Sequence, residues 1–199
     1  MTTRPDPGRP EACTPTALAR LVEGHRAEGP REEAARERFL AELARLPRPC
    51  DEDADPVHVT ASAIIVGRRG TVLHRHRRLG RWMQTGGHVE AGEEPWRAAR
   101  REGEEETGLA LAEPPGGPVL VDVDVHPAAN GHTHLDLRYL LVGPDRDPTP
   151  PPGESPEVAW FDWEEAAALA DPALTGALVR ARRLWARQGA AWATAAPAP

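Results

Sequence analysis

GHVEAGEEPWRAARREGEEETGL, residues 87–109, is the stretch around which the rest of the chain falls into place. It sets Glu102, Glu105 and Glu106 at i, i+3 and i+4, so a helix carries the three carboxylates on one face. Like charges so spaced repel by a few tenths of a kcal/mol per pair, and a cation between them reverses the sign. Hard divalent ions take oxygen ligands and keep waters for a phosphate-bearing substrate. A glutamate run by itself reads as a solvated helix face. This run has company: Gly86 and Gly87 before it as a turn, Glu93 in the intervening loop, Arg101 directly ahead of the triplet, and Gly108 as a C-cap.

Working outward from the helix, Pro95 suits its first position, and the helix is expected from about Pro95 to Thr107 with Trp96 and Ala99 towards a sheet. Gly103 inside it costs about 1 kcal/mol relative to Ala. Upstream, VHVTASAIIVG from Val57 reads as a strand, and TVLHRHRR from Thr71 as its hairpin partner. His74, Arg75, His76, Arg77 and Arg78 form a basic patch, read as a solvated strand end or as contacts to substrate phosphates. Trp82 in the segment before the box can stack on a base or pack under the loop.

Downstream, VLVDVDVH (119–126) and HTHLDLRYLLVG (132–143) alternate as half-exposed strands. Asp122 and Asp124 read as solvated, whereas His134, Asp136 and Arg138 share a face and are candidates for substrate contact, as is His88 in the box loop. His132 and His134 have ligand spacing, but no Cys or third His lies near them in sequence, so zinc is not expected there. A short strand, EVAWF, follows a proline-rich loop carrying Glu154 and Glu157. An amphipathic helix over about 171–188 closes the order. Strands flanking one marked helix suggest α+β with a mixed sheet.

Before the first strand, Thr14-Pro15 opens a helix to about His25, and a second runs from about Arg31 to Leu46, reading as a packing appendage. The expected division is a disordered tail at 1–13, a helical extension and linker at 14–56, the main domain at 57–188 and a disordered tail at 189–199.

The 199 residues suffice for one domain with a real core. A net charge of −7 argues against general nucleic-acid binding. No apolar run of membrane-spanning length occurs, and the first residues lack an apolar signal core. Cys13 and Cys50 form neither a metal pair by spacing nor a disulfide framework, so a reducing cytoplasm is expected. All 24 basic residues are Arg, which points to coding bias, not to special chemistry.

The stretch 87–109 resembles the Nudix box: Gly87, Glu93, Arg101-Glu102, Glu105-Glu106 and Gly108 fill all its fixed positions, and Leu109 its final apolar one. Gly103 stands where that family has an apolar residue, and Thr85 where a proline often precedes the two glycines. The resemblance implies a Nudix α/β/α sandwich and Mg²⁺- or Mn²⁺-dependent hydrolysis of the diphosphate linkage in a nucleoside diphosphate derivative, such as a nucleoside triphosphate, ADP-ribose or a nucleotide sugar. It implies Gly86, Glu102, Glu105 and Glu106 as metal ligands, Arg101 and Glu93 as the pair that orients them, and a base among Glu102, Glu105 and Glu154, with Glu157 second to Glu154. It admits a homodimer. The alternative is a nucleotide-sensing Nudix module without catalysis. Such modules usually lose a box carboxylate, and none is lost here. A prenyl diphosphate isomerase would need a reactive Cys beside the site, and both cysteines precede the domain.

Overall fold

The computed structural model describes residues 13–192. Two helices come first, α1 (Pro15–Gly24) and α2 (Pro30–Leu43). Thr14 caps α1 by accepting from the Ala17 N–H at 3.2 Å, as its sequence foretold. Strands β1 (Val57–Gly67), β2 (Gly70–Arg75), β3 (Trp82–Met83) and β4 (Thr85–His88) lead to α3 (Pro95–Thr107). Then come β5 (Val119–Pro127), β6 (Thr133–Val142), β7 (Val158–Phe161), α4 (Trp163–Leu169) and α5 (Pro172–Trp192). A short helix not read from the sequence, α4, precedes the expected last one. Asp162 accepts from the Glu164 and Glu165 N–H groups, and Glu165 reaches back to the Asp162 N–H, a capping box that starts α4. The final helix also runs to Trp192, not 188, because Trp192 is buried against the core and contacts Trp185. Residues 189–192 of the expected disordered tail are therefore helical; the rest of it, and residues 1–12 of the first tail, lie outside the described residues.

One mixed sheet runs β3-β2-β1-β6-β5, with β4 paired to β1 and β7 to β2. β1 and β6 are parallel, and the remaining pairs are antiparallel. Along β1, Ala61 and Ala63 point at α3, which answers with Ala98, Ala99 and Gly103. Small residues on both sides let helix and sheet approach closely, which is how α3 reaches the sheet without large side chains. A Cβ at Gly103 would lie 2.7 Å from Leu111 Cδ1, 3.3 Å from Ala63 Cβ and 3.5 Å from Thr85 Oγ1. The two departures from the box pattern thus touch each other: Leu111 and Thr85 fill the space an apolar side chain would take. On the opposite face Ile64, Val66 and Leu140 meet α4 and α5 through Ala166, Leu174 and Leu178.

β5 is an edge strand, and α2 covers it. Glu32 accepts from the Val123 N–H at 3.3 Å, and Arg31 bonds Asp124 at 2.6 Å and Asp122 at 2.9 Å. Covering an edge in this way blocks strand addition by another chain. Leu18, Val22, Phe39 and Leu43 join the same core as Val59 and Leu135, so the helical extension packs as an integral layer.

Two expectations are corrected. Asp122 and Asp124 are not solvated: they are 2% and 6% exposed and face Arg138 at 3.0 and 2.9 Å. Burial raises Asp122 to about 7 despite Arg138 and Arg31. Cys13 and Cys50, read as unpaired, are joined as a disulfide, with Cα atoms 6.1 Å apart, tying the start of α1 to the linker before β1. Spacing could not reveal it, because the pairing depends on how α1 and α2 fold back on the sheet.

Candidate active site

Three elements converge on the carboxylates. β4 sits in the sheet through Gly86↔Ser62 and Gly87↔Ala61. A Cβ on Gly86 would be 2.7 Å from Ser62 Cα, so that glycine is demanded by close approach, whereas one on Gly87 would meet the Glu102 carboxylate, 2.5 Å from its Cδ, and displace it. The Gly86 N–H donates to Glu106 Oε2 at 2.9 Å. Glu102 and Glu106 therefore rest on the bare backbone of residues 86 and 87. Gly108 ends α3 in the left-handed conformation at φ 67°, where a side chain would collide with the Thr149 carbonyl.

Arg101 organises the rim. Its guanidinium grips Glu93 twice, at 3.2 and 3.0 Å, bonds Glu102 at 2.6 Å and Glu105 at 3.4 Å, and donates to the His88 carbonyl at 2.9 Å. Arg101, bonded to Glu93, Glu102, Glu105 and the His88 carbonyl through one fork, thus fixes the box loop to the helix. Glu104, the remaining acid of the run, turns away, accepting from the Leu111 N–H at 2.9 Å and pairing with Arg100.

The acids differ in surroundings. Burial pushes Glu106 up to about 8, and the charges of Glu102, Glu154 and Glu105 add to it, against the pull of the Gly86 N–H. Glu102 is raised by burial too, with Arg101 opposing. His74, 5% exposed, puts Nδ1 3.4 Å from Glu106 Oε1. Burial and the neighbouring His76 lower it to about 4, so it is a neutral neighbour and not a counter-ion. Sequence had placed His74 only in a basic patch; its role follows from β2 pairing, which no spacing rule exposes. Glu105 remains more than half exposed, open to the site's mouth.

Of the loop acids, Glu154 is the one whose charge acts on Glu106. Arg77 holds that loop through the Gly153 carbonyl at 2.7 Å, and Ser155 donates to the Arg75 carbonyl at 2.7 Å. Glu157 instead pairs with Arg75 at 3.0 Å on the surface. Two members of the basic patch therefore position the acidic loop.

The residues read as substrate contacts part company. Asp136 and Arg138, 1% and 3% exposed, are inside the sheet face: Asp136 accepts from Ser62, Thr60 and Arg138, and Arg138 also holds Asp122 and Asp124. With their polar atoms so engaged under α2, they serve the sheet edge and are withdrawn as substrate contacts. Trp82 packs edge-on against Phe161, ring centres 4.8 Å apart, as part of the core. His88 and His134 lie together, with ring centres 5.7 Å apart.

The comparisons agree with this geometry. The model of the NUDIX domain matches residues 56–181. A NUDIX-family hydrolase from Clostridium perfringens is 27% identical, covering 63% of this chain and 94% of its own, with a TM-score of 0.53. A MutT NUDIX hydrolase from Burkholderia pseudomallei is 30% identical over 61% and 95%, with a TM-score of 0.50. An Ap4A hydrolase from C. elegans, 22% identical over 65% and 97% with a TM-score of 0.54, shares the fold. No curated protein matches the chain. The chain belongs to the NUDIX family, and its class is that of the Nudix pyrophosphohydrolases.

Proposed function

We propose that the protein hydrolyses the diphosphate linkage of a nucleoside diphosphate derivative, using Mg²⁺ or Mn²⁺ held by Glu102, Glu105, Glu106 and the Gly86 carbonyl. The observation that carries this reading is the acid crowding on the Gly86-Gly87 backbone. Burial and neighbouring carboxylates push Glu106 up to about 8, and the neighbour at its other oxygen, His74, is neutral. Such a site fits a hard cation with oxygen ligands, because only positive charge relieves it. When bound, the metal would neutralise the diphosphate and stabilise the charge that builds on its oxygens.

The chain's own residues supply the rest. Arg101 holds Glu102 and Glu93 in one arrangement, so little reorganisation remains for the reaction. A carboxylate takes the proton of the attacking water; Glu105, exposed at the mouth, and Glu154, on its anchored loop, are the candidates that can reach solvent. Water then attacks one phosphorus, the bond to the bridging oxygen breaks, and the leaving phosphate departs. Nucleoside triphosphates, ADP-ribose and nucleotide sugars all present this linkage. A nucleotide screen with products resolved names the substrate and the attacked phosphorus. Release from at least one of these classes, abolished in Glu106→Gln, supports the reading; ligand-induced stabilisation without release from any of them would turn it into a sensor.

We also propose the division into a helical extension over 14–56 and a Nudix domain that begins at 57 and closes with the last helix at Trp192, and a homodimeric assembly. Among the described residues no helix is long and apolar enough to cross a membrane. The Cys13–Cys50 pair argues against the cytoplasmic location expected from the sequence, because a reducing cytoplasm keeps thiols free. Thiol titration of the protein as isolated from its source cell tests that part.

A further inference from the structure

We propose that His58, His88 and His134 form a second metal site, for a divalent transition metal of the zinc class, separate from the carboxylate site. The three side chains come from three strands. β1 and β6 run parallel with His58 opposite His134, and β4 runs along the other side of β1 with His88 opposite Thr60. Each offers one ligand atom, and these atoms lie within 4.8 Å of one another. The rings stand 5.0, 5.1 and 5.7 Å apart at tilted or edge-on angles, so they converge without stacking face to face.

The second observation is His58 itself. It is fully buried, its Nδ1 lies 3.4 Å from the Asp55 carbonyl, and its Nε2 has no hydrogen-bond partner among the described residues. A carbonyl only accepts, so Nδ1 carries the proton and Nε2 presents a bare lone pair. A buried polar nitrogen without a partner is costly, and a metal ion would satisfy it. A backbone carbonyl behind the ligand ring is also the usual device for fixing the tautomer and orientation of a metal-binding histidine. A phosphate would need a donor at that nitrogen, so the arrangement favours a cation over an anion.

Three imidazoles select zinc-like ions over Mg²⁺, which takes oxygen. Zinc–nitrogen bonds of about 2.0–2.1 Å put tetrahedral ligand nitrogens about 3.4 Å apart, so the three rings must close up from separations of up to 4.8 Å. Glu52, with Oε2 3.3 Å from His88 Nε2, is the carboxylate at hand for a fourth position. The His88 carbonyl accepts from Arg101, so the ion would also pin the end of β4 that anchors the box.

The test is a Zn²⁺ titration of the full chain in excess Mg²⁺, followed by calorimetry and by melting temperature, with Co²⁺ as a spectroscopic substitute. One equivalent should bind, raise the melting temperature and give the visible absorption of tetrahedral Co²⁺. His88→Gln, at a half-exposed side chain that the fold does not need, and His134→Gln should each weaken Zn²⁺ by about 100-fold, while Glu106→Gln keeps the equivalent. Absence of Zn²⁺ binding to the wild type would overturn the proposal. So would an equivalent that survives both histidine variants but vanishes in Glu106→Gln, which would place the ion on the carboxylates. Because Glu106→Gln should silence hydrolysis and spare Zn²⁺, failure of this site and failure of the proposed hydrolysis are separable.

Discussion

The carboxylate site and the histidine cluster share Arg101 and the end of β4, yet they are built in opposite ways. Glu102, Glu105 and Glu106 lie within five positions on one helix, and the helix repeat alone brings them together. His58, His88 and His134 are 30 or more positions apart and meet only because β1 pairs with β4 on one side and β6 on the other. The first site offers crowded carboxylate oxygens that repel one another; the second offers crowded imidazoles. Burial and neighbouring histidines lower His134 to about 4, and burial lowers His58 as well, so burial favours the neutral form in these rings just as it does in Glu102 and Glu106. Proximity on a helix thus yields a hard-cation site, and strand register a nitrogen site beside it.

Experiments that break or sharpen this contrast can be ranked by effect. Glu106→Gln should cut turnover on the best substrate by about 10³-fold with the fold intact, since it removes a buried ligand without changing volume. Steady-state kinetics with circular dichroism as control reads this. The same change at Glu157, paired with Arg75 on the surface, should leave turnover within about twofold. Reducing the Cys13–Cys50 link, or replacing both by Ser, should lower stability by about 3–4 kcal/mol on loop entropy, with the separation of 37 residues entering as its logarithm. Denaturant unfolding measures it, and activity of the folded protein should change little, because the link ties the extension to the linker and includes none of the box carboxylates.

Legibility followed the same division. The box, its helix and every strand except the two short ones at Trp82–Met83 and Thr85–His88 could be read from spacing and alternation. Glu93 and Arg101 were legible because a motif fixes their offsets. The disulfide, the ring of His58 and the burial of Asp136 and Arg138 were not. An alternating strand looks half exposed whether water or another charged strand covers its polar face, and here Arg138, with Arg31 from α2, holds Asp122, Asp124 and Asp136 inside. Zinc spacing was sought along the chain at His132 and His134, while the histidines that converge on His134, His58 and His88, stand on neighbouring strands.

Smaller effects probe the packing and the protonation. Gly103→Val, the apolar residue that the box pattern favours, should cost about 2–3 kcal/mol, because its side chain meets Leu111 and Ala63. Chemical denaturation of the variant reads the loss, and trimming Leu111 to Ala in the same chain should return part of it. The pH dependence has a definite sign. Glu106 is raised from 4.5 to about 8 in the fold, so the folded state binds the extra proton between those values. Its contribution is present in full below about 4.5 and is lost as pH rises through about 8, so the metal-free protein should lose stability across that window. Added Mg²⁺ should suppress the loss. Apparent Mg²⁺ affinity should rise with pH, by at most about tenfold per unit below pH 8, since each ion displaces the Glu106 proton.

The most direct measurement is hydrolysis of a panel of nucleoside diphosphate derivatives by wild type and Glu106→Gln, with Mg²⁺ present and then removed by chelation. Phosphate-containing products should form only in wild type with Mg²⁺, and the variant should fall by about 10³-fold. Wild-type turnover in Glu106→Gln, or turnover that survives chelation, would contradict the assignment of Glu102, Glu105 and Glu106 to a metal-dependent active site.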